Sequence, residues 1–265
     1  MLWGLLVLPL QAARVDTLMV KSPSMNKEVQ VVVVAPDAAF GQTAVACPVI
    51  YLLHGYGGHA KTWIQVKPEL PQIADEKGII FVCPDGKDSW YWDSPRDPSY
   101  RYETFVSSEL VDYVDRNYKT IADRGARAIM GLSMGGHGAL WNALRHKDVF
   151  GAAGSTSGGV DIRPFPKSWS MSKQLGEFET NKKVWDEHTV INRLDGLRNG
   201  ELALIIDCGE ADFFLNVNKE FHRRLLEKGI DHDFITRPGA HNAKYWNNSL
   251  DYQILFFSKF FDRKD

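Results

Sequence analysis

Short apolar runs recur along the chain, and each stops at a proline, a glycine or a polar turn. Residues 29–34, 49–53, 79–83, 128–132, 202–206 and 234–236 are such runs. Most do not alternate with polar residues, which suits strands covered on both faces, as in a parallel sheet. Longer stretches with helical spacing lie between them, over residues 68–77, 102–118, 135–146, 216–228 and 245–261. In the second, Phe105, Leu110, Val114 and Tyr118 share a face. In the fourth, Phe221, Leu225 and Leu226 are expected inward, and Gly229 ends the helix. Strand–helix alternation predicts an α/β fold with a mainly parallel central sheet flanked by helices and right-handed crossovers. Residues 158–199 break the rhythm with Pro164, Pro166, Trp169, Trp185 and many charges. They read as an inserted loop or small helical cap near the functional face, within one domain spanning residues 14–265.

Composition narrows the classes. Hydrophobic residues make up 44% and charged residues 24% of 265, the balance of a chain with a large core. The formal net charge of −2 gives no basic field, so no nucleic-acid partner is expected. Cys47, Cys83 and Cys208 are an odd number, and none forms a Cys-x-x-Cys pair. They read as small core side chains, and neither a metal nor a cofactor is expected. Residues 1–13 carry an apolar run from Leu2 to Leu8 and a small-residue stretch ending at Ala13, without a preceding lysine or arginine. This signal-like pattern points to export, to the periplasm or outside the cell, and without it to the cytoplasm. The run is too short to span a bilayer, so no stable membrane insertion is expected.

The chemistry lies in three loops. Gly131-Leu132-Ser133-Met134-Gly135 follows one apolar run and precedes a helix-like stretch. A nucleophilic serine needs that setting: a tight strand-to-helix turn, with glycines where side chains would clash. The serine also needs a base. Of eight histidines, His241 lies just past the last strand and before the last helix, where a loop can bring an imidazole to the elbow. His188, His222 and His232 are expected on the surface. The acid comes from the loop after the fifth strand, where Asp207, Glu210 and Asp212 are candidates. Asp212 lies further into the loop and is better placed to reach His241, with Asp207 the alternative. Oxyanion donors are expected from the backbone N–H groups of Met134 and Tyr56, the latter in His54-Gly55-Tyr56-Gly57-Gly58. Trp63, Trp90, Tyr91 and Trp92 are candidates for an aromatic substrate wall, with core packing as the other reading.

At these residues the chain resembles the esterase D superfamily. This group of α/β-hydrolases includes tributyrin-type esterases, S-formylglutathione hydrolases, and feruloyl and acetylxylan esterases. Leu53 to Gly58 with Trp63, Gly131 to Gly136, and Cys208 to Phe213 recur there in this order, and the match runs from about Thr17 to Phe261. The resemblance implies a serine carboxylesterase acting on short-chain, acetyl or cinnamoyl esters, whether small molecules or esters on plant polysaccharides. It also implies that Asp212 is the acid. S-formylglutathione hydrolases carry a different loop where this chain has His54 to Gly58. Three other readings stay open: an S-formylglutathione hydrolase-like thioesterase, a peptidase with the same triad, and a non-catalytic carbohydrate-binding protein on a hydrolase fold.

Overall fold

A computed structural model describes residues 13–263. Eight strands form one sheet: β1 (Arg14–Ser22), β2 (Lys27–Ala35), β3 (Val49–Leu53), β4 (Ile80–Pro84), β5 (Arg127–Leu132), β6 (Ala152–Thr156), β7 (Ala203–Gly209) and β8 (Asp233–Arg237). Their order is β1-β2-β4-β3-β5-β6-β7-β8. Pairing from β4 to β8 is parallel, while β1 and β2 are antiparallel at one edge. The helices are α1 (Thr62–Val66), α2 (Leu70–Lys77), α3 (Tyr102–Thr104), α4 (Leu110–Asn117), α5 (Met134–Arg145), α6 (Met171–Leu175), α7 (Lys182–Glu187), α8 (Leu215–Glu227) and α9 (Ala243–Phe261). A π-turn over Phe105–Glu109 joins α3 to α4, so the expected helix over 102–118 forms with one widened turn.

The buried residues fall into two clusters, one on each face of the sheet. Val31, Val33, Tyr51 and Leu53 belong to one; Val32, Val34, Ile50 and Leu52 belong to the other. This is the division a strand's two-residue period imposes when both faces are covered. The three cysteines are free and buried.

Two strands lie outside the apolar runs. β1 is an edge strand whose outward residues are exposed, so its sequence is mixed rather than apolar. β6 is central but reads Ala-Ala-Gly-Ser-Thr. Its residues are small because α9 packs directly on it: a Cβ at Gly154 would collide with the Gln253 amide and lie 2.9 Å from the Phe257 ring. A second difference lies on α8. Phe221 and Leu225 are buried, but Leu226 is 60% exposed. One residue advances a helix by about 100°, which carries position 226 off the inward stripe.

Residues 158–199 form α6, α7 and short 3₁₀ turns. No helix among the described residues is long and apolar enough to cross a membrane. The signal-like segment lies outside the described residues apart from Ala13.

Candidate active site

Ser133 follows β5 with φ 56° and ψ −117°, a conformation that L-residues seldom adopt. The surrounding backbone enforces it. A Cβ at Gly131 would strike the backbone of Gly135, and one at Gly135 would strike the Leu53 carbonyl. Only glycine lets β3, β5 and the start of α5 approach this closely. Ser133 N–H donates to Thr156 O at 3.0 Å, tying the turn to β6. Met134 is the first residue of α5, so its N–H belongs to the first turn, where backbone donors lack partners within the helix.

The loops after β7 and β8 bring the other two groups to this turn. His241 Nε2 lies 2.9 Å from Ser133 Oγ. His241 Nδ1 lies 2.9 Å from Asp212 Oδ2 and 3.1 Å from Oδ1. Phe214 N–H donates to Asp212 Oδ1 at 2.8 Å and fixes the carboxylate. A carboxylate only accepts, so His241 carries its proton on Nδ1, and Nε2 accepts from the serine hydroxyl. Serine, imidazole and carboxylate therefore stand in the order that proton transfer requires.

Asp207 is placed elsewhere. It is fully buried and accepts from Thr156 Oγ1 at 2.6 Å, from Ser249 Oγ at 2.7 Å and from Arg237. Those bonds fasten β7 to β6, β8 and α9 and leave no part for it beside His241.

The loop after β3 closes against the elbow. Gly58 N–H donates to Gly55 O at 3.0 Å, a turn whose own bond does not use Tyr56 N–H. A Cβ on Gly55 would sit 2.6 Å from Leu132 Cδ1 and 3.2 Å from Ser133 Cβ. His54 supports this turn from inside. Its Nδ1–H donates to Gly55 O at 2.7 Å, and its Nε2 accepts from Gly86 N–H at 2.8 Å.

The expected aromatic wall is not where sequence order suggested. Trp63, Trp90, Tyr91 and Trp92 are each at most 1% exposed, and none lines the cleft beside Ser133. They brace the loops from behind. Trp63 Nε1–H donates to Leu53 O at 3.0 Å, and Tyr91 Oη–H donates to His54 O at 3.1 Å. Trp92 Nε1–H donates to His137 Nε2 at 2.8 Å, and Trp90 stacks on Trp92 at 5.6 Å. The His137 imidazole donates through Nδ1 to Gly159 O at 2.9 Å, and burial pushes its pKa down to about 3, so it stays neutral. Amphipathic indole and phenol rings that find a partner for their polar atom belong inside.

Other aromatics line the cleft: Tyr56, Trp169, Phe213 and Trp246, together with Gly55, Gly57, Gly58, Thr62, Leu132, Ser133 and His241. The cleft volume is about 430 Å³. Phe213 is 52% exposed although its ring centroid lies 4.3 Å from that of His241. Trp169 was legible only as part of the irregular insertion, whereas Phe213 lay beside the acid candidate. The three histidines expected on the surface are half-buried instead: His188 stacks on Trp141 at 5.4 Å, and His222 stacks on Phe234 and bonds His232. Among the described residues no group of three His, Cys, Asp or Glu side chains could hold a metal ion.

The sheet, the elbow and the loops that meet at its carboxyl edge define an α/β-hydrolase. The chain belongs to the esterase family, whose model, described as "Putative esterase", matches residues 22–257. It is 29% identical over 220 residues to Esterase Rv1288 of Mycobacterium tuberculosis, covering 73% of this chain and 48% of the relative, so the match spans about half of that protein's length. It is 24% identical over 227 residues to an acetyl esterase of Caldicellulosiruptor saccharolyticus, covering 80% of this chain and 84% of the relative. A solved ferulic acid esterase superposes with a TM-score of 0.79 at 27% identity, covering 94% of this chain and 99% of that one.

Proposed function

We propose that the protein is a serine carboxylesterase that hydrolyses short-chain acyl, acetyl or cinnamoyl esters, including such esters on plant polysaccharides, through an acyl-enzyme. The observation that carries this reading is the continuous hydrogen-bonded line from Asp212 through His241 to Ser133 Oγ. His241 Nε2 takes the serine proton as Oγ bonds to the ester carbonyl carbon. The negative charge that develops on the carbonyl oxygen is met by the N–H groups of Tyr56 and Met134. Collapse of the tetrahedral intermediate breaks the bond to the alcohol, which leaves with the proton held by His241. Water then gives its proton to His241, attacks the acyl carbon and releases the acid, returning the proton to Ser133. Asp212 stays ionised, keeps the imidazole in the productive tautomer and stabilises the imidazolium. No step needs a cofactor. Similarity to an acetyl esterase and to a ferulic acid esterase supports the acyl range.

The test is a panel of p-nitrophenyl acetate, tributyrin, methyl ferulate and acetylated xylan, read with the native protein and with Ser133→Ala. Turnover of at least one ester, removed by Ser133→Ala in a folded variant, is expected. Equal turnover by the two proteins would overturn the reading, and labelling by a fluorophosphonate separates an esterase from an inactive carbohydrate binder.

A further inference from the structure

The cleft above Ser133 has a rim assembled from four separate stretches of chain. Trp246 packs on the edge of His241 at 5.0 Å, and His241 packs on Phe213 at 4.3 Å. Phe213 stacks on Trp169 at 5.9 Å. Trp169 is locked further by Phe165 at 5.4 Å, Phe214 at 5.2 Å and Trp90 at 5.9 Å. From Trp169 the chain passes to Ser170, whose Oγ lies 3.0 Å from Tyr56 Oη. Tyr56 returns to the glycine turn beside Ser133. From Trp246 round to Tyr56, every link but one is aromatic packing or covalent chain. The exception is a single hydrogen bond in exposed surroundings between residues 114 positions apart.

Two features mark that bond as more than incidental contact. Trp169 and Ser170 are consecutive non-glycine residues with φ of 49° and 53°, a left-handed pair that persists only where surroundings hold it. Ser170 is also the residue preceding α6, where a serine hydroxyl ordinarily caps the helix. Its side chain makes no capping bond here. The hydroxyl is turned to Tyr56 instead.

We propose that the Tyr56–Ser170 hydrogen bond is a latch that closes the rim of the cleft and sets the size of ester the site admits. This rests on the reading of Ser133 as an esterase nucleophile. With the latch closed, the cleft favours acetyl and other small groups. When it opens, the gap between the glycine turn and the insertion lengthens the site for bulky acyl chains. Because water competes for both hydroxyls, the latch opens readily, and its loss changes selectivity more than it changes folding.

The experiment compares kcat/KM for p-nitrophenyl octanoate and p-nitrophenyl acetate in the native protein, in Tyr56→Phe, in Ser170→Ala and in the double variant. Each single variant is expected to raise the octanoate-to-acetate ratio about fivefold, the scale of one exposed hydrogen bond. The double variant is expected to match the singles, since both remove one interaction. Ratios within twofold of native in Tyr56→Phe, which keeps the ring and the backbone N–H, would overturn the latch, as would additive effects. Should Ser170→Ala fail to fold, Tyr56→Phe alone decides. Millisecond hydrogen exchange over residues 165–175 reads the latch without turnover: faster exchange in Tyr56→Phe supports it, and unchanged exchange overturns it. A native protein that hydrolyses neither of these esters nor any other member of the panel above contradicts the proposed function, and the exchange experiment still decides the latch.

Discussion

Ser133, Asp212 and His241 sit on turns that leave three strands of one sheet, whereas Trp169 sits in residues 158–199, where the longest helix has six residues. The first set is positioned by backbone. Strand register places the turns side by side, glycines remove the side chains that would keep them apart, and Ser133 Oγ and His241 Nε2 come within 2.9 Å. The second is positioned by side chains, with an indole wedged among Phe165, Phe213, Phe214 and Trp90. The difference separates two jobs. Rigid strand ends hold groups that must align for chemistry, and an irregular segment shapes the space around them.

The comparison is broken most severely at the two aspartates near the end of β7. Asp212→Asn is expected to lower kcat by about 10⁴-fold with an unchanged melting temperature, because the imidazole loses its fixed tautomer. Asp207→Asn is expected to do the reverse. Weakening the buried pair with Arg237 costs about 3 kcal/mol of stability, while the folded protein keeps most of its turnover. Kinetics and thermal melts on both variants check this, and interchanged phenotypes would sink the assignment of the acid.

A smaller effect tests the insertion. Trp169→Ala is expected to raise KM roughly 5-fold and leave kcat within about threefold, since it removes a wall and not a reacting group. The contrasting variant, Trp92→Phe, removes the bond to His137 behind the site. It is expected to cost about 1–2 kcal/mol of stability with KM unchanged. A raised KM in Trp92→Phe would restore the buried aromatics to the substrate wall.

Glu103, on α3, sets how the fold responds to acid. Burial alone would raise the Glu103 carboxyl, but hydrogen bonds from His146, Arg145 and Trp141 outweigh it and bring its pKa to about 2, from an ordinary 4.5. A depressed acid stabilises the fold above the unfolded value and loses that contribution as pH falls from 4.5 toward 2. Acid unfolding should therefore be shallower across that window in Glu103→Gln than in the native protein. Denaturant midpoints measured between pH 5 and pH 2 check the difference.

How much the sequence disclosed follows the same division. The elbow was legible because glycines at 131 and 135 answer a steric demand of the backbone. His241 was legible from its place between the last strand and the last helix. Asp212 was preferred for its reach, but Asp207 stayed open on the residues alone, because the partners that occupy it come from positions 156, 237 and 249. β6 was hidden for a related reason: its small residues record how close α9 comes, which is a property of the packed fold. The cleft aromatics were misplaced because an aromatic after a strand looks alike whether its polar atom meets a buried carbonyl, as in Trp63 and Tyr91, or its ring meets solvent, as in Phe213.

The central claim is that the Ser133 hydroxyl becomes acylated. Rapid mixing of the protein with p-nitrophenyl acetate, an acid quench and peptide mass mapping test it directly. The account predicts a burst of nitrophenol approaching one equivalent and an acetyl group on the peptide that carries Ser133. Hydrolysis with no acyl group on that peptide, or an acyl group on another residue, would contradict it.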